Sequence, residues 1–161
     1  MSEQRTEVAS WDETFMNIAH VARLRSKDPA TQVGACIVSE DRRILSIGYN
    51  GAPNGFDDEE FPWGRESENP LERKHLFVVH AERNAILNFR GSLREFKGAT
   101  VYVSLFPCNE CAKELAQVGV RELVYEEMYR PGDEVSEASL IILERAGVSI
   151  RQQIPTMGDE R

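Results

Sequence analysis

The sequence is poor in the features that would direct it out of the cell, into a membrane or onto a nucleic acid. It has only three cysteines, Cys36, Cys108 and Cys111. An odd count with one close pair does not build the disulfide framework of a small secreted domain. Apolar runs are brief, as in Val101–Phe106, and none approaches the roughly 20 residues that cross a bilayer. No apolar stretch follows Met1–Arg5, so no secretory leader and a cytoplasmic location are expected. Positive charge is also scarce. Lys and Arg number 19 against 27 Asp and Glu, a net charge of −8. Non-specific nucleic-acid binding draws on Lys and Arg at the phosphates, so a polynucleotide partner is disfavoured, while a local basic pocket for one small phosphate remains compatible. There is no internal repeat and no low-complexity segment.

What is present suits a single globular domain. The 161 residues, 41% of them apolar, suffice for one core without disulfides. The domain is expected to fill residues 1–161, with a core over about 11–155 and frayed ends. Ser10 followed by Glu13 reads as a capping box. Phe15, Ile18, Ala19 and Ala22 then recur at helical spacing, and Ser26-Lys27-Asp28-Pro29 stops the helix near Arg25. Val33–Val38 and Ile44–Tyr49, joined by polar Ser39–Arg43, predict a β-hairpin. Gly51 to Arg73 reads as a long loop with an aromatic centre at Phe61-Pro62-Trp63, and loops of that length are often functional. A helix is expected after His80, stopping near Gly91. A strand over Thr100–Phe106 and a helix over Cys108–Val118 follow, with Pro107 before the helix and Gly119 after it. A strand over Glu122–Glu126, a helix over Asp133–Ala146 and a strand over Val148–Ile154 complete the order. Helices and strands in this alternation predict an α/β fold: a mixed five-stranded sheet with helices on both faces, three layers in all.

Three side chains suit one metal ion: His80, Cys108 and Cys111. Imidazole and thiolate are preferred zinc ligands. Cys108 and Cys111 stand three apart at a predicted helix start, so both sulfurs can face one point, and the positive helix end favours thiolates there. A structural zinc site normally takes four protein ligands. Cys36 lies mid-strand, where a free cysteine is more often core, and His20 lies mid-helix. His75 is the plausible fourth ligand; without it the site keeps the open position of a catalytic zinc. Glu82, two residues beyond His80, is a carboxylate beside the metal, able to move a proton for a water whose pKa zinc lowers to about 7.

Each fragment is weak by itself, since a lone Cys-x-x-Cys is often redox or structural. The combination of His80-Ala81-Glu82 with Pro107-Cys108-Asn109-Glu110-Cys111 is the signature of zinc-dependent nucleobase deaminases. Further stretches narrow the resemblance: Arg25-Ser26-Lys27-Asp28-Pro29, Gln32-Val33-Gly34-Ala35, Gly48-Tyr49-Asn50-Gly51 with Pro53 and Gly55, Pro62-Trp63, and Leu105-Phe106-Pro107. With them the chain resembles the deoxycytidylate deaminase family from about Trp11 to Pro155. The resemblance implies the cytidine-deaminase-like three-layer fold and one catalytic Zn2+ per chain. It also implies hydrolysis of dCMP to dUMP and ammonia, which feeds thymidylate synthesis. By the same resemblance Glu82 carries a proton to N3 and assists the leaving amine, the Ala81 N–H holds the base O2, and Asn50 binds the sugar. Ser26 and Lys27 are the phosphate candidates, with Tyr129 or Arg130 beside them; as isolated charges, Lys27 and Arg130 read equally well as solvated surface. Family members are often homohexamers activated by dCTP with Mg2+ and inhibited by dTTP. Gly48, Tyr49, Asn50 and Gly51 are the stretch associated with that effector site, although Tyr49 also reads as an ordinary strand-end residue.

The rival readings are a deaminase of a tRNA base, of free cytidine, of guanine or of a riboflavin precursor, and, in other classes, a non-catalytic zinc protein or a thiol–disulfide module. Net charge weighs against the tRNA reading. A fourth protein ligand would favour the non-catalytic one. The third leaves His80-Ala81-Glu82 without a purpose.

Overall fold

The computed structural model describes residues 2–154; the expected fraying beyond Pro155 lies outside them. Helix α1 spans Trp11–Arg23. The capping box forms as expected: the Glu13 N–H donates to Ser10 Oγ at 3.1 Å and the Ser10 N–H donates to Glu13 Oε2 at 2.7 Å. The helix closes two residues before Arg25 because the N–H groups of Leu24, Arg25 and Ser26 turn to carbonyls three residues back, which tightens the last turn ahead of Pro29.

Strands β1 (Gly34–Val38) and β2 (Ile44–Tyr49) form the antiparallel hairpin, with Gly34 opposite Tyr49. The chain then makes a long excursion whose ends meet. Gly51 and Val79 exchange backbone hydrogen bonds of 3.0 and 2.9 Å. Inside the excursion Phe61 is buried, with Phe56, Trp63 and Phe77 around it. Two short 3-10 turns, Pro70–Glu72 and Lys74–Leu76, give it more order than a plain loop.

Helix α2 spans Ala81–Asn88, strand β3 Thr100–Leu105, helix α3 Asn109–Gln117, strand β4 Glu122–Glu127, helix α4 Glu134–Arg145 and strand β5 Ser149–Gln152. The strands lie in the order β2-β1-β3-β4-β5. β1 is antiparallel to both neighbours, while β3, β4 and β5 are parallel. Side chains alternate between faces, as the two-residue period of a strand requires. Ala35, Ile37, Val101, Val103 and Leu123 pack with Ala85, Leu115 and Leu143 of the α2, α3 and α4 layer. Cys36, Val38, Tyr102 and Val124 pack with Phe15, Met16 and Ala19 of α1. The three-layer α-β-α arrangement is therefore the one expected, and Cys36 is a core residue. Full burial of a Leu or Phe side chain of this kind contributes about 1.5–3 kcal/mol.

Two glycines set the distance between helix and sheet. A Cβ on Gly34 would lie 1.8 Å from the Ala19 carbonyl oxygen, and one on Gly48 would lie 2.2 Å from the Ala81 oxygen and 2.4 Å from the Ala85 nitrogen. The backbones of α1 and α2 thus rest directly on β1 and β2. Parallel β3 runs into α3, and α2 starts beside the same sheet end, which is where open α/β sheets hold their ligands.

Candidate active site

Both ligand-bearing helices begin in the same way. His80 is the N-cap of α2 and Cys108 the N-cap of α3, each extended in backbone conformation. Each N-cap carbonyl accepts the first helical bond, Asn84 N–H to His80 and Ala112 N–H to Cys108, both at 2.9 Å. Neither side chain caps its helix, which leaves imidazole and thiol available to each other. Cys111 follows one turn into α3. His80 Nδ1 lies 3.3 Å from Cys108 Sγ and 3.6 Å from Cys111 Sγ, and the three ligand atoms sit within 4.8 Å of one another. With Zn–S near 2.3 Å and Zn–N near 2.1 Å, an N···S edge of a zinc tetrahedron is about 3.6 Å. The donor set and its spacing therefore fit a zinc ion. His75 lines the same cavity but does not join this group among the described residues.

The groups of the cluster shift one another's titration. A hydrogen bond from the neighbouring Cys111 thiol draws the Cys108 thiol far below its ordinary value, with His80 adding to the effect, while that bond and burial push Cys111 up. The hydrogen bond to Cys108 raises the His80 imidazole. Glu82, in the first turn of α2, is 4% exposed, and burial pushes its carboxyl up to about 7 against the downward pull of His80.

The ligands open onto a cavity of about 360 Å3. His80, Ala81, Glu82 and Cys108 form its floor, and Leu105, Phe106, Val33 and Val78 supply apolar wall. Ala81 is the first residue of α2, so its N–H has no intrahelical acceptor. Arg65, Lys74, His75 and Tyr129 also line it. Burial depresses the His75 imidazole, and the positive fields of Lys74, Arg65 and Arg130 depress it further. Arg65 and Arg130 form no ion pair among the described residues; Arg130 lies over the Tyr129 ring, 5.2 Å from its centroid. The cavity thus joins a metal-type donor set to cationic side chains.

Buried polar groups complete the lining. Lys74 Nζ pairs with Asp28 Oδ2, and both residues are buried. Asp28 Oδ1 accepts from the N–H groups of Ala30 and Thr31 at 2.9 and 3.1 Å. Asn50 lines the cavity, but its amide also holds this loop. Its Nδ2 donates to the Thr31 carbonyl at 2.9 Å, and its Oδ1 accepts from the Val33 N–H at 2.9 Å.

Three of the sequence candidates, Ser26, Lys27 and Gly48, stand outside the lining of this cavity. Ser26 and Lys27 do not line this cavity: Ser26 Oγ accepts from the Asp28 N–H at 3.3 Å, and Lys27 turns to Asp58 on the far side of the segment. The tight turn before Pro29 aims successive residues 27 and 28 in opposite directions. Gly48 is not part of a ligand surface, because α2 covers it. Tyr49 and Gly51 instead line a second cavity of about 270 Å3, with Arg25, Lys27, Asn54 and Trp63, whereas Asn50 faces the first. Lys74 and Arg65 carried no recognisable local signal, and Asp28 stood out only within the Arg25–Pro29 stretch, with no site role of its own. The one available hint was a cationic cluster, Arg73-Lys74-His75, just ahead of His80.

Comparison with known proteins agrees with this geometry. Residues 9–127 match the family model described as the cytidine and deoxycytidylate deaminase zinc-binding region. Human deoxycytidylate deaminase is 46% identical over 154 residues, spanning 95% of this chain and 85% of that protein. A probable deoxycytidylate deaminase of Drosophila melanogaster is 44% identical, spanning 96% and 77%. The dCMP deaminase of cyanophage S-TIM5, solved in complex with dCMP and dUMP, superposes with a TM-score of 0.67 at 28% identity, covering 88% of this chain and 95% of that one. With its paired helix starts, its His80–Cys108–Cys111 cluster and these relatives, the chain belongs to the cytidine and deoxycytidylate deaminase family.

Proposed function

We propose that this protein, acting as one domain, converts dCMP and water to dUMP and ammonia. The observation that carries the reading is the lining of one cavity, which combines a zinc-type donor set and a buried carboxylate with a histidine that lies in the positive fields of Lys74, Arg65 and Arg130. A cytosine ring reaches the floor while a 5′-phosphate reaches Arg65, His75 and Tyr129, with Arg130 adding positive field. These residues replace Ser26 and Lys27 as the phosphate contacts. His80, Cys108 and Cys111 hold the zinc, which when bound supplies a Lewis acid that makes water nucleophilic near neutral pH.

The chain's own groups do the rest. The Ala81 N–H donates to the base O2 and fixes the ring against the floor. The remaining lone pair of Asn50 Oδ1 accepts from a sugar hydroxyl. Glu82 takes one proton from the attacking water and delivers it to N3, then takes that water's second proton from the new C4 hydroxyl and passes it to the 4-amino group, which leaves as ammonia while the C4 carbonyl forms. The apolar wall at Leu105 and Phe106 excludes bulk water from the ring. Initial rates on deoxycytidine, dCMP and dCTP, followed by ultraviolet absorbance, test the reading. dCMP should be the preferred substrate by kcat/KM. Equal turnover of deoxycytidine, or turnover of guanine or of a tRNA base in its place, would overturn it.

The second cavity is a plausible seat for the effectors expected from the sequence. Arg25 and Lys27 supply positive charge for a triphosphate, Asp58 a carboxylate for Mg2+, and Tyr49 and Trp63 flat surfaces for a base. dCTP with Mg2+ activates and dTTP inhibits in this reading. A rate curve that is sigmoidal alone and hyperbolic with dCTP supports it, and a hyperbola indifferent to both triphosphates contradicts it. A homohexamer is the proposed assembly. Exposed Val21 on α1, Leu24 just after it, and Ile44 and Ile47 on edge strand β2 are candidates for its contacts, and sedimentation velocity reads the assembly directly. No helix among the described residues is long and apolar enough to cross a membrane, and three free cysteines suit the reducing cytoplasm proposed as its location.

A further inference from the structure

Helices α2 and α3 bring the metal ligands together, yet apart from the ligands themselves one side-chain hydrogen-bonded link joins them among the described residues. Arg83 Nε donates to both carboxylate oxygens of Glu114, at 2.9 and 3.1 Å, and Arg83 Nη2 donates to Oε1 as well. The positions are regular. Arg83 follows His80 by three residues and Glu114 follows Cys111 by three, so each lies one turn below a ligand on its own helix. Nε and Nη2 converge on Oε1 while Nε also reaches Oε2, so the charge-assisted contact restrains direction as well as distance.

We propose that Arg83 and Glu114 are positioning residues for the metal centre: their fork holds the two helix starts at the separation that His80, Cys108 and Cys111 need, and thereby slows loss of the ion. This rests on the reading that the triad binds zinc. The pair forms a second tie between α2 and α3, parallel to the ligand cluster. Without it, α2 can slide or tilt against α3, and the imidazole leaves the sulfurs by the fraction of an ångström that opens a coordination site. Both side chains are partly exposed, 42% for Arg83 and 35% for Glu114. An ion pair so placed adds little to global stability, so its effect belongs in metal retention. Groups that orient ligands without touching the metal commonly alter affinity by about 10–100-fold.

The test uses the zinc-loaded full chain and the rate at which zinc passes to an excess of the chromophoric chelator 4-(2-pyridylazo)resorcinol. Arg83→Met and Glu114→Gln should each release zinc about 10-fold faster than the parent. The exchanged pair, Arg83→Glu with Glu114→Arg, should return the rate to near that of the parent. Arg121→Met, which breaks the exposed Arg121–Glu40 pair elsewhere on the surface, should leave it unchanged. Parent-like release from both single variants overturns the proposal, as does failure of the exchanged pair to restore retention. A parent chain that holds no zinc at all overturns the metal reading beneath it.

Discussion

Replacing Gly48 with alanine tests whether β2 and α2 meet as closely as the site requires. The added methyl would stand 2.2 Å from the Ala81 carbonyl oxygen, 2.4 Å from the Ala85 nitrogen and 3.0 Å from the Ala85 Cα. All three are backbone atoms of one rigid helix, so no side chain can rotate away. Carbon contacts are comfortable near ~3.5–4.0 Å, and α2 must therefore retreat by about 1 Å. His80, Ala81 and Glu82 ride on its first turn and retreat with it, while Cys108 and Cys111 stay with α3. Overpacking of this kind costs about 1–3 kcal/mol of stability. A displacement of about 1 Å at reacting groups costs on the order of 100-fold in rate. The assay is kcat/KM on dCMP, with zinc content by atomic absorption and thermal melting alongside. The expected outcome is a folded protein with a modestly lowered Tm, reduced zinc and roughly 100-fold weaker catalysis. Gly64→Ala is the control, since its Cβ would meet nothing nearer than the Glu72 carbonyl oxygen at 3.4 Å. A Gly48→Ala enzyme with full zinc and parent-like kcat/KM would refute the reasoning.

Other expectations follow from the same contacts. Asp28→Asn leaves Lys74 as a buried unpaired cation and should cost about 3–5 kcal/mol in urea unfolding; adding Lys74→Met should recover part of that loss. Glu82→Gln should retain zinc and fold yet lose about 100–10,000-fold in turnover, read from metal content and the absorbance assay together. The hydrogen bond from Arg151, and the weaker one from Tyr102, hold the Asp12 carboxyl below its ordinary value of 3.8. Its contribution to stability is therefore complete above about pH 4 and lost as pH falls through the depressed folded value. Asp12→Asn should accordingly lower Tm at pH 6, and the gap from the parent should close as melting is repeated toward pH 2.

The features legible in the sequence were those encoded locally. Ser10 with Glu13 specified the start of α1, and the apolar, partly β-branched run Val33–Val38 specified a strand, which the sheet buries on both faces. His80 and Cys108 each stand immediately before a helical run, which makes a metal cluster at two helix starts readable from spacing alone. What stayed hidden depends on long-range closure. Asp28 and Lys74 are 46 residues apart, and nothing in either neighbourhood signals the other. Arg65 and His75 come from an excursion whose path is set by Phe61 burial and by the Gly51–Val79 bridge rather than by periodicity. Gly48 and Asn50 were read as part of one effector stretch. Consecutive strand residues face opposite ways, so the stretch divides: Gly48 beneath α2, Tyr49 and Gly51 toward the second cavity, Asn50 toward the first. A motif quoted as a unit in sequence is distributed over three environments in space.

The central claim is that the ion has three protein ligands and one position left for water. Zinc K-edge X-ray absorption on active, substrate-free protein tests it most directly. The account predicts two sulfurs near ~2.3 Å, one imidazole nitrogen near ~2.1 Å and one further light atom that shows no imidazole scattering. A second imidazole, which His75 would supply, or a third sulfur from Cys36 would contradict it.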